Sequence, residues 1–172
     1  MPDSPKQTTP TESVGTLLGR IPSGLFIVTW RADDADRTML TSWLMQAGFE
    51  PPAISIAVGR DRQFLKAAGD REFCFVVNLL GDSQRGLLGR FGKPATDEHD
   101  PFAGLTISRS PSGAAILPDT VGWMECRVRP RAETTDASGP GDHVIVIGDI
   151  IVAGTNTADA PLVHLRKSGL HY

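Results

Sequence analysis

The stretch HVIVIGDIIVAG, residues 143–154, decides the fold class of this chain. It is rich in Val and Ile, which favour β-strands, and it places apolar residues on both faces. GWMECRVRPRAE (122–133) precedes it and alternates between apolar and polar positions, as a half-covered strand does. The Gly-rich segment SGPGD (138–142) lies between the two runs and predicts a turn. Together they predict an antiparallel pair whose longer member is covered on both sides.

The rest of the chain adds strands and few helices. Strand composition recurs in LFIVTWR (25–31), TMLTSWLM (38–45), AISIAVG (53–59), EFCFVVNLL (72–80) and the short PLVHL (161–165). We interpret 38–45 as the second strand of a hairpin, and the prolines Pro51 and Pro52 separate it from the next strand. Short helices are predicted over 14–20, 60–68 and 82–92. The pattern is typical of a mainly β fold, a small antiparallel barrel or sandwich with a few short helices.

Length and composition exclude several classes. The chain has 172 residues, 40% of them hydrophobic, and a net charge of −3, which fits one ordinary domain and argues against a nucleic-acid binder. No apolar run is long enough for a membrane span. We interpret residues 1–13 as a disordered tail, 14–172 as the folded domain, and the location as cytoplasmic, because the N-terminus has no signal-peptide core. Cys74 and Cys126 are interpreted as buried, unpaired side chains.

The usual catalytic motifs are missing. Gly86, Gly89 and Gly92 lie inside a predicted helix, so they form neither a dinucleotide fingerprint nor a P-loop. The sequence contains no GxSxG and no HExxH, and its four histidines are scattered, so a metal site has little support. With no nucleophile or acid–base pair in view, any chemistry falls to a cofactor.

Five ordered stretches resemble the flavin reductase-like, FMN-binding split-barrel family. They are IPSGLFIVTW (21–30), TMLTSWLMQAGFEPPAISIAV (38–58), FCFVVNLL (73–80), GDHVIVIGDIIVAG (141–154) and PLVHLRKSGLHY (161–172). The set is most similar to the flavin reductase module of cyanobacterial flavodiiron proteins. The resemblance implies an antiparallel split barrel that binds FMN, with FAD possible, and uses NAD(P)H. It also implies a homodimer that passes electrons to oxygen or to a monooxygenase or flavodiiron partner.

The resemblance also assigns site residues. It implies flavin contacts from the strand before the double proline, from the phosphate loop after the next strand, and from two later segments: Thr41, Ser42, Trp43, Ala57, Val58, Gly59, Arg60, Asp61, Arg62, Asn78, Leu79, Arg90 and Phe91. Arg60 and Arg62 are expected to clamp a phosphate at the start of a helix. For these positions a solvated strand or helix start, and core packing for Phe91, are the alternatives.

His143 is the catalytic candidate. By the resemblance it lies near the nicotinamide side of the flavin, where a group that titrates near neutrality can bind the nucleotide or bias the charge of the reduced flavin. Tyr172 is a weaker candidate. The predicted function is an NAD(P)H:FMN oxidoreductase, and the alternative is an FMN-binding electron-transfer protein or flavin carrier that does not turn over NAD(P)H. A split barrel that binds deazaflavin or pyridoxal phosphate ranks lower.

Overall fold

The computed structural model describes residues 10–69, 73–93, 99–130 and 141–170. The helices are α1 (Pro10–Gly19), α2 (Gln63–Ala67) and α3 (Leu88–Phe91), and a 3₁₀ helix covers Asp82–Leu87. The strands are β1 (Ser23–Gly24), β2 (Phe26–Ala32), β3 (Ala35–Thr41), β4 (Leu44–Phe49), β5 (Pro52–Gly59), β6 (Cys74–Leu79), β7 (Ser108–Arg109), β8 (Ala115–Ile116), β9 (Gly122–Val128), β10 (His143–Thr155) and β11 (Val163–His164). The mainly β fold class is confirmed.

Seven strands form one antiparallel sheet in the order β3-β2-β6-β9-β10-β5-β4. Its two edge strands, β3 and β4, are consecutive in the chain and are joined only by Ser42 and Trp43. Two residues span only about 10 Å, so the sheet must curl until its edges approach each other. No ladder joins β3 to β4 within the described residues, and we call this gap the open seam. The result is a barrel closed by the chain but not by hydrogen bonds.

The prediction of one continuous strand over 38–45 is therefore wrong. The stretch is divided at Ser42 and Trp43, where the chain crosses the open seam. Before this point it pairs with β2 as β3, and after it the chain pairs with β5 as β4. Pro52 begins β5 at its pairing with Phe49, a position where a strand tolerates proline. The separation of 38–45 from 53–59 by the double proline was predicted correctly.

The barrel interior is filled by side chains from alternate positions of its strands. Phe26, Val28 and Trp30 of β2 pack there with Phe75 and Val77 of β6. The opposite faces of β2 and β6 are also covered, because the β7–β8 hairpin and the segment after it lie against them: Ile27, Thr29, Val76 and Asn78 are fully buried. Strand β6 is therefore covered on both faces.

The helices differ from their predicted limits. Helix α1 begins at Pro10, so Ser13 lies inside the helix and residues 10–13 are not part of a tail; residues 1–9 lie outside the described residues. The helix expected over 60–68 is the short α2, and the one expected over 82–92 is divided into the 3₁₀ helix and α3. Residues 131–133 of the predicted 122–133 strand, and Tyr172, lie outside the described residues.

Candidate functional site

A cavity of about 440 Å³ lies beside the open seam, between β3 and the part of β5 that extends beyond its last pair with β4. Its volume is within the size range of small-molecule sites. One wall is β3, which contributes residues 37–41. The facing wall is the end of β5 and the segment that leads into α2, residues 57–59 and 61–64. Trp30 of β2 and residues 91–93 after α3 complete the lining. The cavity thus joins two parts of the barrel that no backbone ladder connects.

The β3 wall offers hydrogen-bonding groups. Strand β3 pairs with β2 on one side, and on its other side it pairs with no strand in the described ranges. Every second residue of such an edge points its N–H and C=O away from the ladder. Thr38 Oγ1 is buried without a hydrogen-bond partner among the described residues, but Thr38 pairs with Thr29, whose side chain faces the β7–β8 hairpin. The free backbone groups of this wall therefore suit a ligand with donors and acceptors along one edge.

The cavity carries excess positive charge. Its lining includes Arg37, Arg62 and Lys93, but a single acidic side chain, Asp61. The whole chain, by contrast, has a net charge of −3. A concentration of cations at a concave site attracts an anionic ligand or ligand group.

Arg60 contacts the turn before β10, whereas Arg62 lines the cavity. Its Nε donates to the carbonyl of Gly141 at 2.8 Å, and its backbone N–H donates to the carbonyl of Asp142 at 3.0 Å. These bonds fasten the end of β5 to the turn before β10. The backbone N–H of Arg62 donates to the carbonyl of Gly59 at 3.0 Å, which turns the chain so that Asp61 and Arg62 return to the cavity.

His143 lies next to Gly59 but is not among the residues that line the cavity. The two residues are paired across β10 and β5, and a Cβ atom placed on Gly59 would lie 4.0 Å from His143 Nε2. The imidazole is 7% exposed and its Nδ1 is 3.0 Å from the Asp142 carboxylate. The hydrogen bond from His143 lowers the pKa of the Asp142 carboxyl. The ring centroid of Trp43 is 4.7 Å from that of His143, and the Arg166 guanidinium is 5.0 Å from the Trp43 centroid.

The structure gathers part of the predicted site at the cavity: Thr41, Ala57, Val58, Gly59, Asp61, Arg62 and Phe91. Ser42 is buried and Trp43 adjoins it at the strand break, next to the cavity wall. Arg60 and His143 adjoin Gly59 without lining the cavity.

Three predicted residues are not brought to the cavity. Asn78 is fully buried, and its amide is used inside the protein: Nδ2 donates to Ile27 O at 3.1 Å and Oδ1 accepts from Leu117 N at 2.8 Å. Leu79 packs into the barrel interior. Arg90 donates to the carbonyl of Ala103. The amide of Asn78 is thus satisfied by the protein itself.

Sequence reasoning missed Arg37, Thr38 and Lys93. In the sequence, Arg37 and Thr38 precede an apolar run and Lys93 begins a polar loop, so all three have the pattern of solvated positions. Only the pairing of β3 with β2 and the open seam beside it bring them to one cavity.

Comparison with known families decides the assignment. The family described as "Flavin reductase like domain" matches residues 18–169, which is most of the chain. The chain belongs to this family. Membership in this family supports flavin binding and flavin oxidoreductase chemistry.

Individual relatives agree with the family. Diflavin flavoprotein A 1 of Synechocystis sp. strain PCC 6803 is 35% identical over 159 residues, which cover 90% of this chain but 26% of that protein. The chain therefore spans about a quarter of the length of this relative.

Solved structures share the fold. The NADH:FAD oxidoreductase SgcE6 of Streptomyces globisporus C-1027 superposes with a TM-score of 0.71 at 23% identity, covering 90% of this chain and 81% of that one. The styrene monooxygenase flavin reductase of Pseudomonas putida S12 gives 0.70 at 22% identity, covering 87% and 90%. Among the described residues, no helix has the length and apolar character needed to cross a bilayer.

Proposed function

We propose that this flavin reductase-like domain is an NAD(P)H:FMN oxidoreductase that holds its flavin in the cavity at the open seam. The observation that carries the proposal is one cavity in which the free backbone edge of β3 faces the end of β5 and whose lining has three cationic side chains but one acidic one. Family membership supports a flavin as the ligand. The choice of FMN, the use of a nicotinamide donor and the acceptor are parts of the proposal.

The residues present fit a flavin monophosphate. The ring edge of a flavin alternates hydrogen-bond donors and acceptors, which the free backbone edge of β3 can match. Trp30, Val58 and Phe91 supply an apolar lining for the ring. Arg62 and the other cations of the lining suit a phosphate dianion.

Each wall has a part in this arrangement. Backbone groups of residues 38–41 would bind the ring edge, and Ala57, Val58 and Gly59 would lie along the ring from the facing wall. The absence of a side chain at Gly59 allows close backbone approach. When bound, the flavin supplies the chemistry, since it accepts a hydride and releases electrons singly or in pairs. The protein's own contribution is to bind, to orient and to exclude water.

His143 is assigned to this site as a positioning residue. It reaches the cavity only through Gly59 and through Trp43, which fixes the plane of its ring. The Asp142 carboxylate accepts a hydrogen bond from His143 Nδ1 and so orients the imidazole, with Nε2 on the side of Gly59. In a neutral imidazole whose Nδ1 donates, Nε2 is a hydrogen-bond acceptor, and we propose that this acceptor lies beside the wall where flavin and nicotinamide would meet.

A homodimer is part of the proposal. Helix α1 exposes Val14, Leu17 and Leu18 at helical spacing. Ile21, just after the helix, and Val163 and Leu165 of the C-terminal segment are more than half exposed as well. Light scattering on the wild type and on L17E tests this face: a dimer that L17E converts to monomer supports it, and a monomeric wild type contradicts it.

The function is tested by anaerobic titration of the FMN-loaded protein with NADH and, separately, with NADPH. Bleaching of the flavin absorbance band by either nucleotide supports a reductase and identifies its donor. A bound flavin that dithionite reduces but neither nucleotide reduces contradicts it and favours an electron carrier. Failure to bind FMN at all contradicts both.

A further inference from the structure

We propose that Arg37 and Arg62 form an anion clamp across the open seam, in which one phosphate dianion binds to both walls of the cavity. That this phosphate is the one carried by FMN rests on the proposed function. The clamp itself rests on charge and geometry. It differs from the arrangement expected from sequence, in which neighbouring Arg60 and Arg62 act together.

The register of β3 sets the position of Arg37. Arg37 is directly opposite Trp30 in the β2–β3 pair, and directly opposite residues in an antiparallel pair share a face of the sheet. Trp30 contacts Phe64 edge-to-face, with ring centroids 5.2 Å apart. Phe64 belongs to α2, two residues after Arg62, and all four residues line the same cavity. Arg37 and Arg62 thus approach the same end of the cavity from facing walls.

Arg37 is available for a ligand. It is half-buried, and within the ranges that the structure describes its side chain forms no ion pair or hydrogen bond. The adjacent carboxylate, Asp36, is already engaged by Arg109 at 2.5 Å and by Arg31 at 3.5 Å. A half-buried guanidinium without a counter-ion is unusual, because buried charges are normally paired.

Arg60 is not the second arginine of the anion clamp. Its Nε is committed to the Gly141 carbonyl at 2.8 Å and it is absent from the cavity lining. Thr38, next to Arg37, pairs with Thr29 and so directs its side chain to the other face of the sheet. Arg37 and Arg62 are therefore the two arginines that line facing walls of the cavity. These observations place the anion-binding groups on both walls of the open seam.

The clamp has a consequence for the fold. In the part of the chain that the structure describes, no ladder joins the two walls, and like charges on two walls of one cavity repel each other. A phosphate between them replaces that repulsion with charge-assisted hydrogen bonds to both walls. Phosphate binding is therefore expected to stabilise the whole barrel, independently of the flavin ring.

Two measurements test the clamp. The first is the melting temperature of the flavin-free protein in increasing inorganic phosphate, compared with sodium chloride at equal ionic strength. The second is the affinity for FMN and for riboflavin, which lacks the phosphate, measured by flavin fluorescence. Each is made on wild type, R37Q, R62Q, R37K and the control R127Q, whose arginine is exposed on β9 and does not line the cavity.

We expect a saturable rise in melting temperature with phosphate for wild type and R127Q, which R37Q and R62Q each abolish. R37Q is expected to weaken FMN binding about tenfold or more while changing riboflavin binding less than about twofold, and R37K to recover part of the loss. Equal weakening of FMN and riboflavin by R37Q, or an unchanged phosphate effect in R37Q, would overturn the clamp. A wild type that binds neither flavin but is stabilised by phosphate through Arg37 supports the clamp and contradicts the proposed function.

Discussion

The imidazole of His143 packs against the indole of Trp43, with ring centroids 4.7 Å apart and planes inclined by 48°. Trp43 is one of the two residues that join β3 to β4, the edges of the sheet, and its carbonyl accepts a hydrogen bond from Ala57 N at 3.0 Å. The residue that carries the chain across the open seam therefore also holds the side chain assigned to the reaction. Trp43 therefore contacts both the β5 wall of the cavity and the imidazole of His143.

Replacing His143 tests its positioning role. H143Q is expected to lower the anaerobic rate constant for flavin reduction by NADH or NADPH about tenfold, because the oriented imidazole next to Gly59 is lost. FMN affinity is expected to stay within about twofold, since His143 does not line the cavity. Stopped-flow absorbance at several pH values gives both the rate and its pH profile. An unchanged rate and profile in H143Q would remove the residue from the mechanism.

Asn78 is predicted to act in stability and not in flavin binding. Its buried amide bonds Ile27 O and Leu117 N, so N78A leaves both without their partner and is expected to cost about 2–4 kcal/mol in the free energy of unfolding. Urea denaturation measures this cost. FMN affinity of the folded N78A protein is expected to change less than about threefold. A larger loss of affinity at unchanged stability would favour the direct flavin contact that the family resemblance implies.

Much of the fold could be predicted from sequence because its strands have strong local signals. Residues 25–31 and 53–59 carry β-branched and aromatic side chains, and the observed β2 and β5 nearly coincide with them. The stretch 38–45 has the same composition throughout, so nothing local marks the break at Ser42 and Trp43. The break comes from a long-range cause: β3 pairs with β2 and β4 pairs with β5, at opposite edges of the sheet.

The site was less predictable for a related reason. The wall formed by Ala57, Val58 and Gly59 is contiguous in sequence, and the family resemblance indicated it. Arg37 and Lys93 enter the cavity only because the sheet curls and α3 packs beside β3, and neither residue differs in sequence from an ordinary surface cation. Asn78 shows the reverse: its inward polarity was visible, but its partners on the β7–β8 side were not.

Asp159 is predicted to stabilise the start of the 3₁₀ helix in a pH-dependent way. Its carboxylate accepts hydrogen bonds from Ser83 Oγ at 2.7 Å and Ser83 N at 3.0 Å, and these bonds lower the pKa of Asp159 below its ordinary value. A lowered pKa in the folded state means that the stabilisation is present above about pH 4 and is lost as the pH falls through the folded-state pKa.

The measurement for Asp159 is the melting temperature of wild type and D159N between pH 3 and pH 7. D159N is expected to melt lower at neutral pH, and the difference is expected to shrink below about pH 4, as the wild-type carboxyl becomes protonated. A difference that is constant across this range would show that the charge of Asp159 contributes nothing to the cap.

Cys126 is predicted to be unreactive in the native protein. It is fully buried in the barrel interior, and burial, together with the charge of Glu125, raises the pKa of its thiol to about 12. At pH 8 the thiolate that reacts with a disulfide reagent is therefore scarce and inaccessible. The C74S variant, which retains only Cys126, is expected to react with such a reagent only after denaturation. Rapid labelling of folded C74S would show that the barrel opens at β9.

The central claim, that the flavin binds between β3 and the end of β5, is tested most directly by hydrogen–deuterium exchange of the protein with and without saturating FMN. We expect bound FMN to slow exchange in residues 37–41 and 57–63, the two walls of the cavity. Exchange in the β7–β8 hairpin on the outer face is expected to change little. Riboflavin should protect the β3 wall as well, but protect the Arg62 segment less. Protection by FMN that is confined to other parts of the barrel, with both walls unchanged, would contradict the account.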